Sequence, residues 1–464
     1  MFLAVSCSTD TLRKNTVTIY AKDHARQSPE NGTDCRTDTR FMMNTTSNKM
    51  ICSVVGMFAM TTCFISAPAY SQNATNVNLW HTIPTETEKF FVEQLMPKFS
   101  EKHSECNIVI RNLGVEDPSI IRTGLAASGE NKPDMWWMAS SETGSYVEAD
   151  VLADVDGWLN SHPEIKSNII PSLLELSSYQ GKVQSLPWMT NDTAMWINVD
   201  AFEKAGVPIP SQDPATTWTW EEFADAVKKV SNDNMKGYLV SVGGGWDFWL
   251  FHAWYAAAGG DATKIPQLDS PAAIKAVSFI RGLVDNGNTL FSEPNRGWDA
   301  APWYAGKVAI MTNGPWNFPT LSTFKDFKFT VVPFPRDAKP AANLGGNQLF
   351  IGKSDDPKVD ACAFAFAEYM LTDEFQVAFQ KQSGNLPVTT SASTGAEYQE
   401  HVKTYPFLAG FVNQIPYGVA RQPIPTYNEI GTVFTTAWDD VMVNKKGVEE
   451  RFKAAQEEAA QFLN

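Results

Sequence analysis

Between residues 76 and 138 the hydrophobic positions change repeatedly between two spacings. Short alternating or continuous apolar runs predict strands over 76–79, Cys106–Asn112 and 133–138. Apolar residues three and four apart predict helices over 86–102 and 118–128, and these lie between the strands. The order strand, helix, strand, helix, strand is typical of a parallel sheet with helical crossovers, so the pattern predicts an α/β fold.

The rest of the chain continues with mixed elements and no internal repeat. A strand within 186–198 crosses between two regions of the pattern. Thr219 followed by Glu222 is a capping box, which predicts a helix from this point to Val230. The same spacings predict a polar loop over 139–143, strands over 330–333 and 349–351, and helices over 271–286, 360–371, 373–382 and 448–463.

Composition adds limits on size and partners. The 464 residues give room for two ordinary domains, each with its own core. Aromatic residues make up 12% of the chain and charged residues 19%, which is typical of a folded globular protein. The formal charge is −15, and no basic run lies after residue 71. Nucleic acid is therefore excluded as a partner, because phosphate neutralisation needs clustered Lys and Arg.

The first 71 residues differ from the remainder. Residues 1–41 are polar without any period, and we expect a non-structural extension, with translation starting at Met42 or Met43. The run 51–65 is apolar, follows a lysine and precedes small residues, which predicts a secretory signal peptide over 42–71. This run is shorter than the roughly 20 residues that span a bilayer. We therefore expect cleavage, export to the periplasm and no membrane insertion of the mature chain.

Two cysteines remain after the predicted signal peptide, Cys106 and Cys362. Two are too few for a disulfide scaffold, and they lack the spacing of a metal site. Pairing in an oxidising compartment is one alternative, but we expect two separate buried thiols. We expect neither a metal nor a cofactor.

The segment Asn313-Gly314-Pro315-Trp316 follows a short apolar strand that ends near Met311. A Gly-Pro bend after a strand puts the Trp316 ring at the strand's carboxyl end, where ligands lie in open α/β folds. An indole ring has a flat apolar face, and a sugar has C–H groups on one face and hydroxyls around its edge. The segment therefore predicts a sugar-binding position, with a core tryptophan after a turn as the alternative.

Several further segments occur in the same order in one protein family. They are Leu79-Trp80-His81, Lys132-Pro133-Asp134, Leu186-Pro187, Ala201-Phe202-Glu203-Lys204-Ala205-Gly206, Thr217-Trp218, Gly345-Gly346-Asn347, Ser383-Gly384-Asn385-Leu386-Pro387, and Arg421 with Pro423-Ile424-Pro425. With these segments and the Gly-Pro-Trp bend, the mature chain resembles the extracellular solute-binding proteins that include maltodextrin- and glycerol-3-phosphate-binding proteins.

The resemblance implies a two-lobed periplasmic binding protein fold of the class II type. Each lobe would be a mixed, mostly parallel sheet flanked by helices, with three hinge crossings near Thr190, Val332 and Leu371. The first lobe would comprise 72–190 with 333–371, and the second 191–332 with 372–464. The family closes on its solute by hinge bending. It then delivers the solute to ABC permease transmembrane subunits, and we expect a monomer.

The resemblance and the side-chain chemistry together give fifteen candidate ligand-binding residues. They are Trp80, His81, Ser140, Ser141, Glu142, Asn191, Asp192, Trp246, Asp247, Trp249, Asn313, Trp316, Gly346, Asn347 and Arg421. Indole rings would stack on the sugar, and the polar groups would bind its hydroxyls.

Several candidates also have a structural alternative. It is packing for Trp80 and His81, and a solvated loop carboxylate for Glu142. It is a capped turn for Asn191 and Asp192, a helix cap for Asp247, and a surface ion pair for Arg421. Four other tryptophans are assigned to packing: Trp136, Trp137, Trp196 and Trp218.

The sequence offers less support for functions other than carbohydrate binding. The run from Gly346 to Ser354 has one residue too many between its glycines for a phosphate-binding loop. A glycosidase needs two facing carboxylates, and nothing in the pattern selects a pair. A glycerol-phosphate binder remains as an alternative on the strength of Arg421, although one arginine is little for a dianion. The sequence does not separate a transport protein from one that serves a membrane receptor.

Overall fold

The computed structural model describes residues 74–114, 116–127, 132–261 and 263–463. The predicted signal peptide and the extension before it lie outside the described residues. Within the described ranges, every helix is too short or too polar to pass through a bilayer.

The strands of the described residues are short. They are β1 Thr75–His81, β2 Cys106–Asn112, β3 Met135–Ala139, β4 Ser178–Tyr179, β5 Lys182–Val183, β6 Leu186–Pro187, β7 Asn191–Asp192, β8 Ala194–Asn198, β9 Lys236–Val240, β10 Thr289–Phe291, β11 Val308–Asn313, β12 Phe329–Val332, β13 Ala342–Gly345, β14 Asn347–Ile351 and β15 Gly418–Ala420.

Helices fill most of the chain between these strands. They are α1 Thr85–Phe90, α2 Met96–Lys102, α3 Pro118–Leu125, α4 Thr143–Glu148, α5 Val155–Ser161, α6 Pro163–Asn168, α7 Pro171–Leu176, α8 Val199–Ala205, α9 Trp220–Val230, α10 Gly245–Ala257, α11 Pro271–Asp285, α12 Ala301–Tyr304, α13 Phe318–Leu321, α14 Pro357–Met370, α15 Asp373–Ser383, α16 Thr390–Thr394, α17 Ala396–Thr404, α18 Ala409–Val412, α19 Tyr427–Met442 and α20 Val448–Ala459. One π-helical turn, Phe91–Leu95, joins α1 to α2, so the predicted helix over 86–102 is continuous.

Two five-stranded sheets form the two lobes. The first has the order β2-β1-β3-β14-β6, and the second has the order β10-β9-β11-β8-β12. In the first sheet β1 pairs in parallel with β2 and β3, while β14 runs antiparallel to β3 and β6. In the second, β9 is parallel to β10 and β11, while β8 is antiparallel to β11 and β12. The predicted α/β fold with two mixed, helix-flanked sheets is confirmed.

A third, three-stranded sheet lies where the chain passes between the lobes, in the order β15-β13-β7. The chain leaves the first sheet after β6, runs through β7 and enters the second sheet at β8. It returns through β13. The segment predicted as one strand over 186–198 is divided into three short strands, β6, β7 and β8. The first crossing lies beside Thr190, whose amide and carbonyl pair with Leu386.

The other two crossings were predicted near Val332 and Leu371. Phe334 and Ala341 pack with the second lobe's core, beyond Val332. Phe375 and Phe379 of α15 pack in the first lobe's core, whereas Val377 of the same helix packs with residues of the second sheet. The exact lobe boundaries therefore stay a prediction.

Cys106 and Cys362 form a disulfide, with Cα atoms 5.5 Å apart. The prediction of two separate thiols is therefore wrong. The bridge joins the first residue of β2 to the middle of α14, and both residues belong to the first lobe's core. The two cysteines are 256 residues apart in sequence, so their spacing carried no sign of this contact.

Candidate functional site

Both lobes contribute to one large cleft of about 810 Å³. Its first-lobe wall includes Thr82, Ile83, Glu116, Trp137, Ser141, Glu142 and Asn347. Its second-lobe wall includes Gly243, Gly244, Gly245, Trp246, Trp249, Trp298, Trp316, Asn428, Thr435 and Thr436. The lining therefore combines indole rings with hydroxyl, amide and carboxylate groups.

Three tryptophans on the second-lobe wall, Trp246, Trp249 and Trp316, form what we call the indole cluster. The ring of Trp316 lies 5.7 Å from that of Trp246, nearly perpendicular to it, and 6.1 Å from that of Trp249 at 30°. The rings of Trp246 and Trp249 meet edge to face at 5.1 Å. These separations are in the range of favourable aromatic pairs, so the rings support one another.

The sequence at the Gly-Pro bend explains how Trp316 reaches the cleft. Asn313 ends β11, and Pro315 opens a 3-10 turn that carries Trp316. A Cβ atom on Gly314 would lie 1.9 Å from the Trp316 ring, so only glycine lets the ring fold back over the bend. Trp316 is partly exposed and lines the cleft, as the prediction for a ligand-binding ring requires.

Trp246 and Trp249 lie in the first turns of α10, which begins in the cleft wall after two glycines. The amide of Gly243 donates to Asp439 Oδ1 at 3.0 Å, and that of Gly244 donates to Asp247 Oδ2 at 3.3 Å. Asp247 also accepts from the Ser241 hydroxyl. Burial raises the pKa of Asp247 to about 7, although the hydrogen bonds from Ser241 and Gly244 counter the rise.

Asp247 therefore caps a helix from behind the cleft wall and does not line the cleft. It faces a much smaller cavity of about 20 Å³ in the second lobe. Its predicted role as a ligand contact is not supported, and the helix-cap alternative describes its position.

Glu142 is the most buried charged group of the cleft lining, with 3% of its surface exposed. Its Oε1 accepts from Asn428 Nδ2 at 2.7 Å, and its Oε2 lies 3.8 Å from Arg122 Nη1. No hydrogen bond reaches Oε2 from the described residues. Burial raises the pKa of this carboxyl, and Asn428, Arg122 and Arg421 counter the rise. Because Asn428 is on α19, this hydrogen bond joins the two lobes.

Arg421 is the one cation among the described residues that line the cleft. Its guanidinium carbon lies 5.1 Å from the centre of the Trp249 ring, in a cation–π contact. Its Nε finds no hydrogen-bond partner among the described residues although it is buried. An arginine with a free, sheltered N–H group beside a cleft can donate a hydrogen bond to a ligand oxygen.

Three further predicted residues line the first-lobe side and the hinge. Asn191 Nδ2 donates to Asn385 Oδ1 at 3.0 Å, and its own Oδ1 has no partner among the described residues. Asn347 Nδ2 donates to Glu116 Oε2 at 3.2 Å. Gly346 has φ +122°, and a Cβ there would lie 2.2 Å from the Met189 carbonyl oxygen. Glycine is therefore required where the chain enters β14 beside the cleft.

The end of β1 does not reach the cleft lining. Trp80 is 4% exposed, and Arg111 lies over its ring at 4.4 Å. His81 is fully buried, and its Nδ1 accepts from the Ile83 amide at 3.1 Å. Burial lowers the pKa of His81 to about 4, although Glu88 opposes this. Both residues fit the packing alternative.

Three more residues predicted to bind the ligand, Ser140, Asp192 and Asn313, are also buried away from the cleft lining. Ser140 is buried in a 3-10 turn, Ser140–Glu142, where Thr143 Oγ1 donates to its carbonyl at 2.7 Å. The segment predicted as a loop over 139–143 is thus the end of β3, this 3-10 turn and the start of α4. Asp192 is fully buried in β7, and burial raises the pKa of its carboxyl. Asn313 accepts from the Gly314 amide at 2.8 Å and donates to the Trp298 carbonyl at 3.0 Å.

Several lining residues were not predicted from the sequence. Trp137 was assigned to packing, yet it lies both in the core and along the cleft. Trp298 is 51% exposed on a loop without any recognisable pattern. Asn385 could have been predicted, because it lies inside Ser383-Gly384-Asn385-Leu386-Pro387, one of the segments that carry the family resemblance. Asn428 and Glu116 carried no signal beyond being polar.

Comparisons with known proteins agree with this architecture. The family model for bacterial extracellular solute-binding proteins matches residues 94–406. The sn-glycerol-3-phosphate-binding periplasmic protein of Pectobacterium atrosepticum is 24% identical over 353 residues, which cover 71% of this chain and 77% of that protein.

Two solved structures have the same fold. UgpB from Mycobacterium tuberculosis in complex with glycerophosphocholine has a TM-score of 0.73 at 18% identity, covering 84% of this chain and 98% of that one. The cyclic α-maltosyl-1,6-maltose binding protein from Arthrobacter globiformis has a TM-score of 0.70 at 23% identity, covering 84% and 99%. At such identities the likeness concerns the fold alone. The family model spans more than half of the chain, so the resemblance is confirmed: this protein belongs to the bacterial extracellular solute-binding proteins.

Proposed function

We propose that the protein is the solute-binding component of an ABC importer and that its cargo is a neutral sugar, either a mono- or an oligosaccharide. The observation that carries this proposal is the indole cluster, which faces a cleft shared by the two lobes. Rings held against one another present flat apolar surface with little loss of side-chain entropy when a ligand binds.

The polar lining supports the same cargo. A sugar ring stacked on an indole leaves its hydroxyls pointing outward, where they need donors and acceptors. Asn191 Oδ1 accepts no hydrogen bond from the described residues, and Arg421 Nε donates none to them. Glu142 Oε2 also accepts no hydrogen bond from these residues, although Arg122 forms an ion pair with it. Hydroxyls both donate and accept, so a sugar can satisfy all three groups at once. Bonds to the charged groups are the stronger ones.

We also propose that the protein binds its ligand without catalysing a reaction on it. Glu116 and Glu142 are the two carboxylates among the described lining residues, and both belong to the first lobe. A glycosidase places two carboxyl groups on either side of the scissile bond. Two groups on one wall do not flank a bond in a ligand that lies between the walls.

A glycerol-phosphate cargo is the second candidate, since curated relatives carry that specificity in their names. The charges of the cleft weigh against it. Arg421 is one cation against two carboxylates in the described lining. Phosphate sites draw on several charge-assisted donors, and Arg421 is the one charged donor among the described lining residues. We therefore rank a neutral sugar first.

The proposal also covers location and partners. The mature chain would act as a monomer in the periplasm, released from a cleaved signal peptide, and would pass its cargo to permease transmembrane subunits. Fractionation of the producing bacterium with an antibody to the mature chain tests the location. Recovery in the cytoplasm alone would contradict it.

Calorimetry of the exported protein against mono-, di- and trisaccharides tests the cargo. We expect reversible binding of at least one neutral sugar, which is recovered unchanged. Trp316→Ala should weaken that binding by about fivefold to about 150-fold, because stacking on an aromatic ring contributes about 1–3 kcal/mol. Trp158→Ala is the matched control, since Trp158 is a partly exposed tryptophan stacked on Phe364, away from the cleft. Absence of binding to every sugar would refute the proposed cargo.

A further inference from the structure

Trp298 is the most exposed large hydrophobic side chain in the described part of the chain, at 51%, and it lines the same cleft as the indole cluster. An indole that is both exposed and part of the wall lies at the open edge of the cleft. Single exposed apolar residues are common on protein surfaces and need no explanation. This one differs from them because it is held in a fixed position beside a ligand-sized space.

The backbone around Trp298 is fixed at several points. Its carbonyl accepts from Asn313 Nδ2 at 3.0 Å. On either side of it, Arg296 Nη2 donates to Asp299 Oδ2 at 2.6 Å, and the Asp299 amide donates to the Arg296 carbonyl at 2.9 Å. These two bonds close the chain around the tryptophan. An indole on such a loop can receive a flat apolar partner with little further loss of conformational entropy.

The same loop packs against the indole cluster on two sides. A Cβ atom on Gly297, the residue before Trp298, would lie 2.5 Å from Trp246 Cδ1. Asn313 holds the Trp298 carbonyl and also accepts from the amide that follows it, at the bend that carries Trp316. Short contacts therefore set the position of Trp298 relative to the cluster.

The ring of Trp298 nevertheless stands outside the cluster. The three cluster rings lie 5.1, 5.7 and 6.1 Å from one another, at separations typical of aromatic pairs. Trp298 forms no such pair with any ring of the described residues, and the guanidinium of Arg296 lies 5.9 Å from its centre. A sugar ring stacked on the cluster therefore leaves Trp298 free for a second ring.

The size and the polar groups of the cleft fit a second ring. The cleft of about 810 Å³ lies toward the upper end of the ~300–1,000 Å³ found for sites that enclose drug-sized ligands, and a single hexose is smaller than such a ligand. Asn295 lines the cleft three residues before Trp298, and Arg296 lies beside the ring. Amide and guanidinium donors beside an indole suit the hydroxyls around the edge of a sugar ring.

Resting on the proposed function, we propose that Trp298 and its loop form an outer subsite that stacks a second sugar ring, so that the cargo is a short oligosaccharide of two or more units. The indole cluster would hold one unit and Trp298 the next.

The test compares sugars that differ only in chain length. The probes are three series, namely glucose with maltose and maltotriose, glucose with cellobiose and cellotriose, and xylose with xylobiose and xylotriose. Calorimetry gives the ratio of each longer sugar's affinity to that of its monosaccharide. The variants are Trp298→Ala and Trp298→Phe, which keeps a flat ring. Trp158→Ala is the matched control, because Trp158 stacks on Phe364 outside the cleft lining.

We expect wild type and Trp158→Ala to bind a di- or trisaccharide of at least one series more tightly than its monosaccharide by about fivefold to about 150-fold, the effect of stacking one further ring. Trp298→Ala should lose this gain and keep the affinity for the monosaccharide. Trp298→Phe should retain most of the gain, which a merely structural role of the indole would not predict.

Other outcomes overturn the inference in distinguishable ways. If Trp298→Ala weakens the monosaccharide as much as the longer sugar, or weakens neither, Trp298 does not form an outer subsite, and the proposed function stands. The same holds if wild type binds the monosaccharide as tightly as the longer sugars. If none of the probes binds, the inference fails, and the wider sugar panel then decides the proposed function alone. Thermal unfolding verifies the fold of each variant, and Trp298→Leu replaces the alanine variant if that one is unfolded.

Discussion

The disulfide between Cys106 and Cys362 should be a large contributor to the stability of the mature chain. The perturbation is the double variant Cys106→Ala/Cys362→Ala, and reduced wild type is its chemical counterpart. Cross-linking two positions restricts the unfolded chain by an amount that grows with the loop they close. The two cysteines are 256 residues apart, more than half of the chain.

The magnitude follows from that separation. The chain-entropy relation for a loop of 256 residues gives a loss of about 19 cal/mol/K. At 25 °C this is about 5.5 kcal/mol, at the upper end of what disulfides contribute, and measured values of roughly 2–5 kcal/mol are typical. Both cysteines are buried, at 2% and 3% exposure, so the alanines also leave small cavities of up to about 1 kcal/mol each.

Urea unfolding followed by tryptophan fluorescence measures the effect. We expect the double variant and the reduced wild type to unfold at clearly lower urea than the oxidised protein. The slope against urea should rise, because an unfolded chain without the bridge exposes more surface. Reductant should leave the double variant unaffected. Sugar affinity should also be unchanged, since neither cysteine lines the cleft.

One result would refute the reasoning. If a thiol assay shows complete reduction of the wild type and its urea midpoint still equals that of the oxidised form, the bridge does not stabilise the folded protein. A double variant that unfolds like oxidised wild type would lead to the same conclusion.

Three further predictions concern single substitutions. Gly314→Ala should weaken sugar binding about tenfold or more by displacing the Trp316 ring, and near-ultraviolet circular dichroism would show the ring's changed surroundings. Trp80→Ala should cost about 3–5 kcal/mol of stability yet leave the affinity of the folded protein unchanged, which calorimetry at a permissive temperature would contradict if affinity fell. Asp247 has a pKa raised to about 7 in the folded protein, so its contribution to stability should decrease as pH rises from about 4 to about 7 and then level off; Asp247→Asn should remove this part of the pH dependence of Tm, and an unchanged profile would exclude Asp247 as its source.

Local patterns were the reliable part of the sequence. The capping box of Thr219 and Glu222 forms as predicted, with Thr219 Oγ1 accepting the Glu222 amide and the Glu222 carboxylate accepting the Thr219 amide. The Gly-Pro bend also gave the position of Trp316 correctly, because the steric need for Gly314 is contained within four residues. In both cases the interacting groups are neighbours in sequence.

Predictions failed where long-range packing decides the outcome. Trp80 and His81 follow one another on β1, whose sheet is covered on both faces, so alternation could not tell which side chain turns toward the cleft. Trp137 lies on a fully buried strand for the same reason. Asp247 had two equally good local explanations, and only the position of α10 decides between them.

All three tryptophans of the indole cluster are carried by elements of the second lobe, and this determines how a ligand would first bind. Trp246 and Trp249 belong to α10, whose later residues Phe251 and Trp254 lie in the second lobe's core. Trp316 follows β11, the central strand of the second sheet. The second lobe thus presents a preformed aromatic surface for the ligand. The entropy of ordering these rings is lost during folding and not when the ligand binds. Capture would then depend on diffusion to that single lobe, while the opposite lobe would govern how long the cargo stays.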